Sequence, residues 1–182
     1  MLAIFHDQMA AIGVVPQLVK AGIDPTSIEY MDNPNVRTTS EYLEFPGAPH
    51  IEDGIYVIIT IETFNEDELD MKMEQASDIC EAAGAVDVLE ADERIWSMRR
   101  NCLESVSLIS KVCTTDDVVV PVDEMSDMIQ YIIKTVAKYP FPLRINAHIG
   151  DGNLHIVLCK LDLSDEEWES ELSRFTEEVY TY

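Results

Sequence analysis

Side chains rich in β-branched and aromatic types gather in six runs, 27–31, 55–62, 86–90, 117–120, 143–149 and 154–160, and each run predicts a strand. Helical periodicity fills most of the intervals. Asn65 is placed to cap a helix, with Glu68 at the capping-box position, Phe64 and Leu69 as a staple, and Gly84 as the stop. Its core face is Leu69, Met73, Ala76 and Cys80. Ser164 and Glu167 form a second capping box, ahead of an apolar stripe of Trp168, Leu172, Phe175 and Val179. Asp92 and Asp123 are candidate caps for two further helices, 93–111 and 124–138.

Helices alternating with strands, closed by two strands sharing one tight turn, predict an α+β fold rather than a doubly wound parallel sheet, because a tight turn forces an antiparallel pair. The expected form is a ferredoxin-like antiparallel sheet with helices packed on one face, arranged in two related halves. The loop 44–54, with Pro46, Gly47, Pro49 and Gly54, is the candidate separator of two lobes.

The last two runs carry the most informative stretch, His148-Ile149-Gly150-Asp151-Gly152-Asn153-Leu154-His155. Asp151-Gly152 between alternating runs predicts a two-residue type I′ hairpin, which sets His148 opposite His155 and Gly150 opposite Asn153. Alternation puts Ile145, Ala147, Ile149, Leu154, Ile156 and Leu158 on a core face and Arg144, Asn146, His148, Asn153 and His155 on the other. Directly opposed histidines have Cβ atoms about 4.5–5.5 Å apart, within reach of one divalent ion. For the bare spacing, two polar residues on a solvated sheet face are the commoner meaning, and a catalytic zinc takes at least three protein ligands. His6 and His50 read as isolated surface residues.

Composition narrows the partners. A formal charge of −23, with only 12 Lys and Arg, excludes a phosphate backbone and disfavours an anionic membrane surface. The longest apolar run, Ile55 to Ile61, is far short of the ~20 residues a spanning helix needs. The N-terminus lacks the basic start of a secretory signal, and the four cysteines, at 80, 102, 113 and 159, have no metal-site spacing, so reduced thiols and a cytoplasmic setting are expected. No glycine-rich phosphate loop is present.

Arg99 shares a helix face with Trp96 and Leu103, where a guanidinium needs a partner: a substrate carboxylate or one of the chain's own. Arg100 points more toward solvent. Asp116-Asp117 reads as a strand-entry turn before a paired-carboxylate site, and the eight methionines as core filler.

Five stretches, taken in order, resemble the C-terminal domain of FAD-linked oxidases of the vanillyl-alcohol-oxidase type: Pro25 to Asp32, Cys80 to Ala85, Ile95 to Asn101, Asp117 to Pro121, and the histidine hairpin. That group includes the flavin subunit of glycolate oxidase, D-lactate dehydrogenases and D-2-hydroxyglutarate dehydrogenases. The resemblance implies that His148 and His155 ligate a divalent metal, zinc being the candidate, that Arg99 binds the substrate carboxylate, and that Asn153 belongs to the cofactor side. It implies oxidation of a 2-hydroxyacid with hydride passing to FAD and electrons leaving to a separate acceptor protein or subunit.

In the family an FAD-binding domain precedes this region, and a Glu-His-Gly-x-Gly segment after it supplies the third ligand and the candidate base. Neither is found in 1–182. Residues 1–182 are therefore expected to be the cap, or substrate, domain alone, with no catalytic base and no turnover in isolation. Thr115 and Leu103 stand where 2-hydroxyglutarate enzymes place a lysine and a threonine, which favours a smaller substrate such as glycolate or D-lactate. Two rivals are a non-enzymatic ferredoxin-like module for ligand binding or self-association, and a dedicated metal-binding protein.

Overall fold

The computed structural model describes residues 1–182 and builds them around one seven-stranded sheet. In chain order the elements are β1 (Leu2–Phe5), α1 (Gln8–Lys20), β2 (Ser27–Met31), α2 (Asn33–Tyr42), β3 (Ile55–Thr60), α3 (Glu66–Ala82), β4 (Asp87–Leu89), α4 (Glu93–Arg100), α5 (Cys102–Ser105), β5 (Cys113–Val119), α6 (Met125–Val136), β6 (Leu143–His148), β7 (Asn153–Cys159) and α7 (Asp165–Tyr180). Short 3-10 turns lie at Val106–Leu108 and Val122–Glu124.

Every neighbouring pair is antiparallel, in the order β4-β1-β3-β2-β6-β7-β5. The first four strands, with α1 and α3, give the ferredoxin-like arrangement. Strands β6-β7-β5, with α6 and α7, repeat its second-third-first order. The halves join where β2 pairs with β6, Glu29 opposite His148. The α+β class, the antiparallel sheet and the duplication all hold.

One sheet face carries the main core. Ala3, Phe5, Ile28, Tyr30, Val57, Ile145, Ala147, Leu154 and Ile156 meet apolar stripes from α1, α3, α6 and α7. The opposite face has its own smaller core, in which Leu2, Ile4, Met31, Tyr56 and Ile58 pack against Val36 of α2, Ile95 and Met98 of α4 and Cys102 of α5. Strands β1 and β3 are apolar at both parities, as strands buried on both faces are. The expected helical layer is thus joined by a second one.

Local differences have local causes. Strand β1 escapes a periodicity search because its four residues are all buried and show no alternation. The helix expected over 93–111 breaks at Asn101 (φ −103, ψ 16), whose side-chain amide donates to the Ser97 carbonyl. Asp92 caps α4 as expected, through the N–H groups of Arg94 and Ile95, whereas Asp123 lies in a 3-10 turn and caps nothing. Asn65 caps α3, but Glu68 bonds Lys72 at 2.9 Å instead of closing a box, and Phe64 is fully exposed and staples nothing. The Ser164–Glu167 box and the stripe of α7 form as expected. Residues 44–54 link α2 to β3 along a continuous sheet, so they separate no lobes. No helix is long and apolar enough to cross a membrane.

Candidate substrate and metal site

The histidine hairpin forms with a longer turn than its sequence predicts. Asp151 N–H donates to the His148 carbonyl at 3.0 Å, and of the two residues expected at positive φ only Gly152 has it, at 76°. A four-residue turn results, built on an i to i+3 bond and closed by a left-handed glycine. The register moves by two: His148 stands opposite Asn153, and His155 opposite Asn146. A shift of two keeps every side chain on its predicted face. His148 and His155 are therefore diagonal neighbours, and their ring centroids still lie 5.1 Å apart at an interplanar angle of 85°.

The polar face is solvated only in part. Arg144 and Asn146 are buried beneath the second helical layer, where the Arg144 guanidinium donates to the Pro34 carbonyl in α2. Farther along the same face, each histidine meets a carboxylate. His148 Nδ1 lies 2.9 and 2.8 Å from the two oxygens of Glu29, its cross-strand partner on β2. His155 Nδ1 lies 2.5 Å from Asp117, its cross-strand partner on β5. A carboxylate at Nδ1 fixes the tautomer with the proton there and leaves Nε2 as a free lone pair, the arrangement that carries metal-ligating histidines.

Glu29 also binds Arg99. The Arg99 Nε–H donates to Glu29 Oε2 at 3.0 Å, and Nη2 sits 2.8 Å from the same oxygen. That nitrogen is buried, and its contact with Glu29 is an ion pair rather than a well-aligned hydrogen bond. Of the two partners forecast for Arg99, the internal carboxylate is the one present, and it neutralises the guanidinium. Arg100 turns outward to Glu93.

A cavity of about 310 Å³ opens beside these groups, lined by Arg99, Leu103, Thr115, Asp117, Asn146 and His155. Its size suits a small organic acid. Thr115 and Leu103, noted in the sequence as replacements for larger or more polar groups, line it together. Asn153 sits directly opposite His148, and its Oδ1 is buried without a hydrogen-bond donor. A larger open cleft of about 760 Å³ lies near Asp24, Glu62, Phe64 and Glu68 and contains no histidine or cation.

Two sequence readings change here. Asp116 and Asp117 lie inside β5 rather than at its entry, and they project to opposite faces, so they form neither a turn nor a carboxylate pair. Burial, aided by the neighbouring charge of Asp117, holds the Asp116 carboxyl above its usual value. His6 and His50 are exposed but not isolated, since their rings approach to 5.7 Å. The residue that sequence reasoning missed is Glu29. Its signal was a lone carboxylate inside the apolar run 27–31, on the parity that faces the histidines.

The donor set fits half of a metal centre: two imidazoles with oriented lone pairs, and no third histidine, cysteine or carboxylate grouped with them at ligand distance. For FAD, the residues present offer no phosphate-cradling loop, and the unpartnered Asn153 oxygen is buried from solvent.

The chain belongs to the family of FAD linked oxidases, C-terminal domain, whose model matches residues 1–181. Among similar proteins are a D-lactate dehydrogenase of Anaerostipes hadrus, 31% identical over 93% of this chain, and the glycolate oxidase subunit GlcD of Bacillus subtilis (strain 168), 26% identical over 99%. The chain spans 38% of the length of each of these relatives. An alkyldihydroxyacetonephosphate synthase structure shares the fold, with a TM-score of 0.70 at 13% identity, covering 100% of this chain and 38% of that one.

Proposed function

We propose that this chain is the substrate-side region of an FAD-dependent 2-hydroxyacid dehydrogenase acting on a small acid such as glycolate or D-lactate. The reading is carried by one observation: the Arg99 guanidinium shares a cavity wall with His155, whose ring is held by a carboxylate at Nδ1, and His148, held in the same way, stands beside it. Arg99 takes the substrate carboxylate on the side of its guanidinium that lines the cavity, while Glu29 holds the guanidinium plane in place. His148 and His155 hold a divalent cation through Nε2, with Glu29 and Asp117 orienting the rings. When bound, the cation supplies Lewis acidity at the substrate hydroxyl, and FAD supplies the hydride acceptor.

Leu103 and Thr115 offer no second cation for a dicarboxylate, which favours the smaller acids. Asn153 faces the cofactor side. Residues 1–182 provide no base and no flavin fold, so turnover depends on an FAD-binding domain and on the third metal ligand supplied from outside them. Electrons then pass to a separate acceptor protein or subunit. The four unbridged cysteines support a reducing, cytoplasmic setting.

The test is titration calorimetry of the zinc-supplemented chain with D-lactate, glycolate and D-2-hydroxyglutarate. The monocarboxylates are expected to bind more tightly than the dicarboxylate and to lose binding in Arg99→Met. Undiminished binding by Arg99→Met refutes the clamp. Mixing the chain with FAD and D-lactate is expected to leave the flavin oxidised, and turnover there refutes the dependence on an outside domain.

A further inference from the structure

Three segments distant in sequence converge at the opposite side of the sheet, three strand positions from β6. His6 is the first residue after β1, His50 and Asp53 lie in the loop leading to β3, and Asp87 opens the edge strand β4. One donor atom each from His6, His50 and Asp53 fall within 4.8 Å of one another. His6 Nε2 stands 3.3 Å from Asp53, and His50 Nε2 stands 3.6 Å from Asp87.

The backbone sets this geometry. Gly54 N–H and Asp53 N–H both donate to the His50 carbonyl, closing a tight turn that returns Asp53 to the side of His50. His50 itself is left-handed at φ 47, a conformation rare for a residue with a β-carbon. Gly54 is required, because a Cβ there would sit 2.6 Å from the His50 carbonyl oxygen and 3.1 Å from Ile4. On the other side, Asp87 is held opposite Ile4 by strand pairing, two residues from His6.

We propose that His6, His50 and Asp53 bind a borderline-soft divalent cation such as zinc, with Asp87 as a fourth ligand or as the carboxylate that orients His50. Two imidazoles with carboxylates are a zinc-type donor set, whereas magnesium and calcium select all-oxygen sites. Tetrahedral bonds of about 2.0–2.1 Å draw the donors inward, and exposed side chains at a surface turn make that movement without disturbing the core. The chain's net charge of −23 adds a long-range attraction for any cation. The bound ion ties the loop before β3 to the ends of β1 and β4, and so acts as a clip on the sheet edge. This site shares no residue with the cavity of Arg99 and does not depend on the dehydrogenase reading.

The test is calorimetric zinc titration in the double variant His148→Gln/His155→Gln, which leaves only the new site. One equivalent is expected, with a zinc-dependent rise in Tm. Adding His50→Asn, a residue that tolerates the left-handed backbone, abolishes that equivalent, and His6→Gln does the same. Asp87→Asn weakens it by about tenfold, as loss of an orienting partner does. Absence of zinc binding in the double variant overturns the proposal, as does retention of it after His50→Asn or His6→Gln, or displacement of zinc by equimolar magnesium.

Discussion

Replacing Glu29 by Gln should be the most damaging single-charge change in the candidate site, because one carboxylate serves both Arg99 and His148. The side chains of Glu29 and Arg99 are only 10% and 12% exposed, so neither charge has water to fall back on. At 2.8 Å and an effective dielectric of 20 the direct attraction is about 6 kcal/mol, most of which offsets the desolvation of the two ions. Removing one partner leaves the desolvation of the other uncompensated, and the expected loss of stability is about 3 kcal/mol.

A companion variant separates this from simple packing damage. Glu29→Met with Arg99→Met removes both charges and keeps much of the volume, so it should recover most of the lost stability. Urea unfolding at neutral pH measures both. A loss below about 1 kcal/mol for Glu29→Gln, or a double variant no better than the single one, refutes the buried-pair account. The same Gln substitution should weaken metal binding at His148 and His155 by about tenfold or more, because His148 loses the acceptor that fixes its tautomer.

Other expectations are narrower. Burial pushes the Asp32 carboxyl up to about 6 from 3.8, against the opposing pull of Ile145 N–H, Asn35 N–H and Arg144. The folded state therefore holds that proton more tightly, and the contribution to stability is complete below about pH 3.8 and is lost as pH rises through 6. The stability of the wild type minus that of Asp32→Asn should fall by about 3 kcal/mol across this window in urea titrations, and a flat difference counts against it. Gly152→Ala puts a Cβ 2.0 Å from the Val120 carbonyl oxygen at a φ of 76°, so a loss above about 2 kcal/mol in thermal unfolding is expected, and a neutral outcome excludes the observed turn. Among the four thiols only Cys113 is exposed, while burial raises Cys80 to about 11 and Cys102 to about 12. A thiol reagent should label one cysteine rapidly in the native chain and four after denaturation.

Much of the fold was legible because local chemistry and tertiary need agree. The Ser164–Glu167 box, the Asp92 cap, Gly84 as a stop at φ 104, and the alternation of β6 and β7 each follow from rules acting over a few residues. Strand β1 and the second helical layer were not legible, because strands buried on both faces carry no alternation to read. The turn failed for a subtler reason. Asp-Gly signals a tight hairpin by propensity, but Gly150 N–H bonds the Ile28 carbonyl on β2, and that contact favours the longer loop. Parity survived since the register moved by an even number.

The site itself shows why motifs alone underdescribe chemistry. The hairpin supplies two imidazoles and α4 supplies a guanidinium, both visible as sequence patterns. What makes them one site is Glu29, on a strand more than a hundred residues earlier in the chain, brought opposite His148 only when the two halves of the sheet join. Its carboxylate neutralises Arg99 through a single oxygen that meets both Nε and Nη2, and the guanidinium still lines the cavity. A fully bidentate internal pair would have silenced the arginine, and an unpaired one would have been too costly to bury. A carboxylate that engages the cation from one side leaves it stable while the guanidinium still borders the cavity, and this arrangement arises at the seam between the duplicated halves.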